Sequence, residues 1–313
     1  MTFHGRFHVK YAILAVVLAM IVLVPAVVFG SSRTIHVDDD ANGTQDGSYS
    51  HPYRKIGDAL KHADEGDEVY VHNGTYDENI TIPKGVKVKG NYKDRSKVVI
   101  DGDKDEPTVS MKHESELSFV TVKDGRHGIS VREDAKAKLF DVVVKGAERD
   151  GIHAYSAPRE KNRRLYAEKV EVRGSGKAGI FSEKRYVVLV NCDIHDNAND
   201  GIDFLAGTKA WLEDVRSNDN RGSGWKLVLD GAEIWTKNDQ FRRNGREGVL
   251  VESFGAAGKF GLKQSKTVEN KRWGVALVAR GTAASGMWKN VFLEKNSSWG
   301  NGFGDVSSVI VTR

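Results

Sequence analysis

The chain has 313 residues, of which 39% are hydrophobic and 29% charged, with 33 glycines, 5 prolines and a formal net charge of +4. This is the bulk composition of a water-soluble protein long enough for one elongated domain, and so small a charge makes no case for a nucleic-acid partner. Cys192 is the only cysteine, which excludes an intramolecular disulfide and leaves stability to the core.

The N-terminal residues include Arg6 and Lys10, and Tyr11–Phe29 follows as an apolar stretch without a charge. A helix of that length spans about 28 Å, close to the hydrocarbon core of a bilayer and longer than the usual secretory h-region. Pro25 and the small residues up to Gly30 also match a cleavable signal, so residues 1–30 read as a signal-anchor or a signal peptide. Either reading exports the remainder. No cysteine follows the stretch to carry a lipid.

Residues 31–313 read as one domain, with 34–82 as a cap and entry segment and 83–313 as repeated coils. Within the entry segment, Ile56, Ala59, Leu60 and Ala63 recur at helical spacing after Pro52. A short amphipathic helix over Pro52–Ala63 is expected, covering the open end of a stack that would otherwise expose apolar core. Asp38, Asp40, Asn42 and Gly43 match the first half of a calcium loop, but Tyr49 stands where the closing glutamate belongs, so a polar loop is expected.

From Gly128 onward a glycine followed by an apolar residue recurs at Gly128-Ile129, Gly151-Ile152, Gly179-Ile180, Gly201-Ile202, Gly224-Trp225, Gly248-Val249, Gly274-Val275 and Gly302-Phe303. Steps of roughly 22 to 28 residues, short β-branched runs and Asn/Gly-rich corners indicate a solenoid of parallel strands, one coil per repeat. Glycines at the corners are expected to take positive φ. Asn197, Asn218, Asn220, Asn244, Asn270 and Asn296 are expected to tolerate the same region and to hydrogen-bond along the stack.

These repeats, with the entry pattern Gly66-Asp67, Val69, Val71, Gly74 and Tyr76, resemble the right-handed parallel β-helix of the pectin-lyase-like superfamily over Thr34–Arg313. The resemblance implies an all-β fold and extends in part to calcium-dependent pectate lyases. Asn199-Asp200-Gly201-Ile202-Asp203 is similar to their acidic turn, and Gly224-Trp225-Lys226-Leu227 to their lysine strand. It implies Asp200 and Asp203 as calcium ligands and Lys226 as the base that removes an α-proton from a uronide. Two departures stand out: Asn199 replaces an acid, and Ala178 stands where the family places a further aspartate. Asp193-Ile194-His195-Asp196 echoes an alginate-epimerase motif but precedes the corner, so His195 is expected on the surface.

Trp211 and Trp235 each lie 13 residues before a corner glycine, beside the better core candidates Leu212 and Ile234. Both indoles are expected to face outward and stack, with Trp288 extending the row, as a platform for pyranose rings. Together these features describe an extracytoplasmic, membrane-tethered or secreted β-helix that binds or scaffolds a polysaccharide in a lateral groove without catalysis. The alternative is a calcium-dependent polysaccharide lyase.

Overall fold

The computed structural model describes residues 32–157, 163–280 and 285–311. Tyr11–Phe29 lies outside them. Among the described residues no helix is long and apolar enough to cross a membrane.

From Glu68 on, the chain winds as a parallel β-helix of three sheets, visited in the same order on every turn. Among the described residues, sheet 1 has eleven strands, from Thr34–Val37 to Val291–Glu294. Sheets 2 and 3 have ten each, from Gly74–Asp77 to Ser297–Trp299 and from Ile80–Ile82 to Gly304–Val311. The first complete turn already falls within 68–82, inside the stretch read as an entry segment.

Alternation of side chains along each strand divides inside from outside. In Val98–Gly102, Val98, Ile100 and Gly102 are buried while Val99 and Asp101 are half-buried. The inward row of sheet 3 runs Val109, Ile129, Ile152, Ile180, Ile202, Trp225, Val249 and Val275, each paired with the next. Trp225 is wholly enclosed, edge-on to Phe204 and Phe260 and stacked on Phe241. The expected corner register therefore holds through Gly274-Val275. It fails at the last turn, where Val275 pairs with Val306 and Phe303 is exposed.

The corner glycines are required for a reason other than the expected one. Gly201 and Gly224 do not have positive φ. A Cβ on Gly201 would lie 2.7 Å from the Gly224 carbonyl oxygen, and one on Gly224 would lie 2.7 Å from that of Gly248. Consecutive coils touch through backbone at this corner, so no side chain fits. Positive φ falls instead on Asp196, Asp219, Arg243 and Glu269. The residue after each, Asn197, Asn220, Asn244 and Asn270, enters a buried ladder that ends on Asn301. Asn218 and Asn296 lie outside this ladder; Asn296 accepts the Ser265 N–H instead.

The capping helix is shorter than expected, Ile56–His62, and buries Ile56, Ala59 and Leu60 against the first strands. Pro52 does not start it, because Tyr53 pairs with Val37 as a β-bridge. The free N–H groups of Ile56 and Gly57 are accepted by the Glu78 carboxylate at 2.7 and 2.9 Å, the role that an N-cap side chain usually fills. The Asp38 loop serves the cap: Asp39 accepts the Thr75 N–H at 2.9 Å. Cys192 is buried, and its thiol is pushed up to about 12 by that burial.

Candidate functional site

On sheet 3 the residue after each inward apolar one points outward, so one position per coil builds a row along the axis. In register this row reads Ser110, Ser130, His153, Phe181, Asp203, Lys226 and Leu250. Asp203 and Lys226 are thus neighbours on adjacent coils, as the corner spacing predicts, with Lys226 Nζ 3.4 Å from Asp203 Oδ1. Burial raises the Asp203 carboxyl to about 6, against the opposing pull of Lys226. Asp200 is buried one step before the corner, and its Oδ1 accepts the Ser223 N–H at 2.6 Å. Its carboxyl is also raised by burial.

The same two corner positions, two and three coils earlier, carry a cluster that motif reading missed. His127 and Asp150 immediately precede Gly128 and Gly151, as Asp200 precedes Gly201, and His153 follows Gly151 by two, as Asp203 follows Gly201. His153 Nδ1 lies 2.8 Å from Asp150 Oδ2, and His127 Nδ1 lies 3.5 Å from the same oxygen. The other Asp150 oxygen accepts the Ala178 N–H at 3.2 Å. The two imidazoles have ring centroids 4.5 Å apart, and His153 stacks on Phe181 at 4.8 Å. Burial, reinforced by His153, lowers His127 to about 4, so its ring is neutral near pH 7. The cluster opens onto a groove of about 810 Å³ whose lining includes Arg126, Arg132, Arg149 and Tyr155. The periodicity that exposed Asp203 and Lys226 could have found all three residues.

Buried Arg185 shapes the groove wall. It donates to the carbonyls of Tyr155, Arg132 and Ala135, tying two loops together. The other paired basic residues form no open strip, since Arg242 and Arg243 pair with Glu269 and Asp219. His195 lies on sheet 2, hydrogen-bonded to Asp196 at 2.6 Å.

The aromatic platform is on a different sheet from Asp203 and Lys226, which corrects the expectation of a single groove. On sheet 1 the outward row reads Tyr166, Val188, Trp211, Trp235, Gly261 and Phe292. Leu212 and Ile234 face the core, as expected, and Trp211, Trp235 and Phe292 are 38%, 37% and 48% exposed. A Cβ on Gly261 would meet the Trp235 ring at 2.3 Å; its absence lets that indole lie across the coil and stack on Phe292 at 5.9 Å and 20°. Trp288 does not extend the row. It belongs to the 3-10 turn Ser285–Asn290 and packs against the core, and Phe292 takes the expected place. Charges beside the platform neutralise one another through Lys237 with Glu213 and Lys263 with Glu294, both at 3.1 Å.

Residues 127–286, more than half of the chain, match the family model described as right handed beta helix region. The chain belongs to that family. A second model, described as a protein of unknown function (DUF1565), matches residues 40–142 of this β-helix. No curated protein matches it. Among solved structures it is similar to pectate lyase Pel9A, with a TM-score of 0.60 and 14% identity over 90% of this chain and 78% of that one. Full-length tailspike protein 2 of Escherichia coli O157:H7 bacteriophage CAB120 gives a TM-score of 0.62 and 10% identity over 90% of this chain and 42% of that one. Dettilon tailspike protein gives 0.57 and 14% over 89% and 62%. At these identities the likeness is one of fold.

The calcium cage that the lyase resemblance implies is not assembled in this β-helix. Calcium takes six to eight oxygens, whereas Asp203 faces an ammonium, Asp200 spends an oxygen on a backbone N–H, and Phe181 occupies the preceding coil. Neither aspartate belongs to a group of three ligand-type side chains among the described residues.

Proposed function

We propose that this protein binds a polysaccharide on the aromatic platform of sheet 1 and acts as a scaffold without catalysis. The observation that carries this reading is the stacked outward row of Trp211, Trp235 and Phe292. Indole faces bind the apolar face of a pyranose ring, and successive coils offer such faces at about 4.8 Å, comparable to the rise of a sugar unit. The neutralised flanks favour a sugar face over a charged group. A protein named pectate lyase has the same fold, which is consistent with a glycan partner. We place the β-helix outside the cytoplasm, tethered or exported by Tyr11–Phe29.

Trp235→Ala is expected to weaken retention on the cognate insoluble polysaccharide by roughly tenfold, the loss of about 1.4 kcal/mol of aromatic contact. Retention should change little between low and high salt, because no free charge carries it. Equal retention of wild type and a Trp211→Ala, Trp235→Ala double variant across a glycan panel would overturn the reading.

The lyase reading rests on the Asp203 and Lys226 pair. It requires calcium-dependent release of unsaturated uronide, abolished by Lys226→Ala. We expect neither calcium binding by calorimetry nor such release from pectate or alginate; calcium binding lost on Asp200→Ala, Asp203→Ala would restore a lyase.

A further inference from the structure

We propose that His127, Asp150 and His153 form a binding site for a divalent transition metal of the zinc class, with an open coordination position facing the groove. Two imidazoles and one carboxylate are the donor set that zinc and its neighbours prefer, whereas a hard cation such as calcium selects oxygen alone. The ligand atoms of the three residues lie within 4.8 Å of one another.

The geometry is close to a loaded site. Tetrahedral coordination with bonds of about 2.0 to 2.1 Å places neighbouring ligand atoms roughly 3.3 Å apart. His127 Nδ1 stands 3.5 Å from Asp150 Oδ2, near that value. His153 Nδ1 is at 2.8 Å, the distance of a hydrogen bond that a metal would replace by drawing the two atoms apart.

The independent observation is the state of His127. Its side chain is 5% exposed, and among the described residues its buried Nδ1 has no hydrogen-bond partner. A buried ring nitrogen without a partner is costly, and a structural histidine is normally oriented by a hydrogen bond. Here the orphan nitrogen faces the one oxygen already shared with His153. A metal would satisfy it. Asp150 is itself fixed through its second oxygen by the Ala178 N–H, the kind of outer support that orients a ligating carboxylate. The three ligands leave a fourth position, and the groove lined by Arg126 and Arg149 gives solvent and small anions access to it.

The test is titration of the full, untagged chain with zinc ion alone, by competition with a chromophoric chelator, and with cobalt(II) followed by visible absorption. The expected result is about one ion per chain and a tetrahedral cobalt band. His127→Ala and His153→Ala should each weaken binding by at least about tenfold. Asp150→Asn keeps an acceptor for the Ala178 N–H and removes the anionic ligand, so it should weaken binding while the thermal transition stays in place. His195→Ala, on sheet 2, should bind as wild type does. Zinc bound no better than by the His127→Ala, His153→Ala double variant, or a cobalt spectrum of the hydrated ion, would overturn the site and leave a structural Asp150–His153 hydrogen bond. The platform variants at Trp211 and Trp235 should not change metal binding.

Discussion

Asn220→Ala is expected to lower the free energy of unfolding by roughly 3 to 5 kcal/mol, several times the cost of an ordinary surface change. Asn220 is buried in the corner ladder. Its Oδ1 accepts the Asn197 backbone N–H at 3.1 Å and the Asn197 Nδ2 at 2.9 Å. Its Nδ2 in turn reaches the Ile194 carbonyl at 3.2 Å and Asn244 Oδ1 at 3.1 Å. Alanine removes both sides of this exchange and leaves a backbone N–H, a carbonyl and an amide without partners in a corner closed to side chains. Each such group costs about 1 to 3 kcal/mol when buried, and the effects overlap because neighbours share hydrogens. Asn218→Ala is the control, since Asn218 is half-buried and outside the ladder, and should cost no more than about 1 kcal/mol. Urea unfolding of the three proteins measures the difference. A loss below about 1 kcal/mol for Asn220→Ala would mean that water replaces the amide at the corner.

The architecture was legible because a parallel coil repeats its corner. Gly201-Ile202 and Gly224-Trp225 lie 23 residues apart in sequence, and the structure pairs Ile202 with Trp225 and Asp203 with Lys226. Spacing relative to the corner therefore predicted contact. The phase within a coil was harder to read: Trp211, 13 residues before Gly224, belongs to sheet 1, whereas Asp203 and Lys226 belong to sheet 3. Two rows of equal period can occupy different faces, and period alone does not report the face. The last turn lost register at Gly302-Phe303 because the segment after Arg280 lengthens that coil, so Val275 meets Val306. Trp288 moved inward with the same segment. The helix start was misplaced at Pro52 because its cap comes from Glu78, a partner far along the chain that no local motif announces. His127, Asp150 and His153 were visible to the same corner arithmetic as Asp203. They were missed because a familiar lyase motif drew attention to the later coils.

Asp239 sets the second large effect, a stability that falls as pH rises. It is buried at the turn between sheets 1 and 2, where the equivalent residues of other coils are Cys192, Val215, Ser265 and Asn296, all neutral. Burial pushes its carboxyl up to about 7, although the Thr236 hydroxyl and the Val215 N–H, the latter at 2.8 Å, oppose the shift. In the unfolded chain the same group titrates near 4. Between about pH 4 and about pH 7 the native state therefore keeps a proton that the unfolded state has released. This contribution is fully present below the unfolded pKa and is lost as pH rises through the folded one, after which it is flat. At about 1.4 kcal/mol per pKa unit, the loss amounts to roughly 2 to 4 kcal/mol. Asp239→Asn retains an Oδ1 to accept the Val215 N–H and carries no charge, as Asn296 does two coils on. The variant should match wild type near pH 4 and exceed it by that amount at pH 8. Taking the difference between the two unfolding curves at each pH cancels the titration of Asp200 and Asp203, which burial shifts in the same direction. A difference that stays constant from pH 4 to pH 8 would mean that Asp239 ionises without cost, its charge held by the hydrogen bonds of the turn.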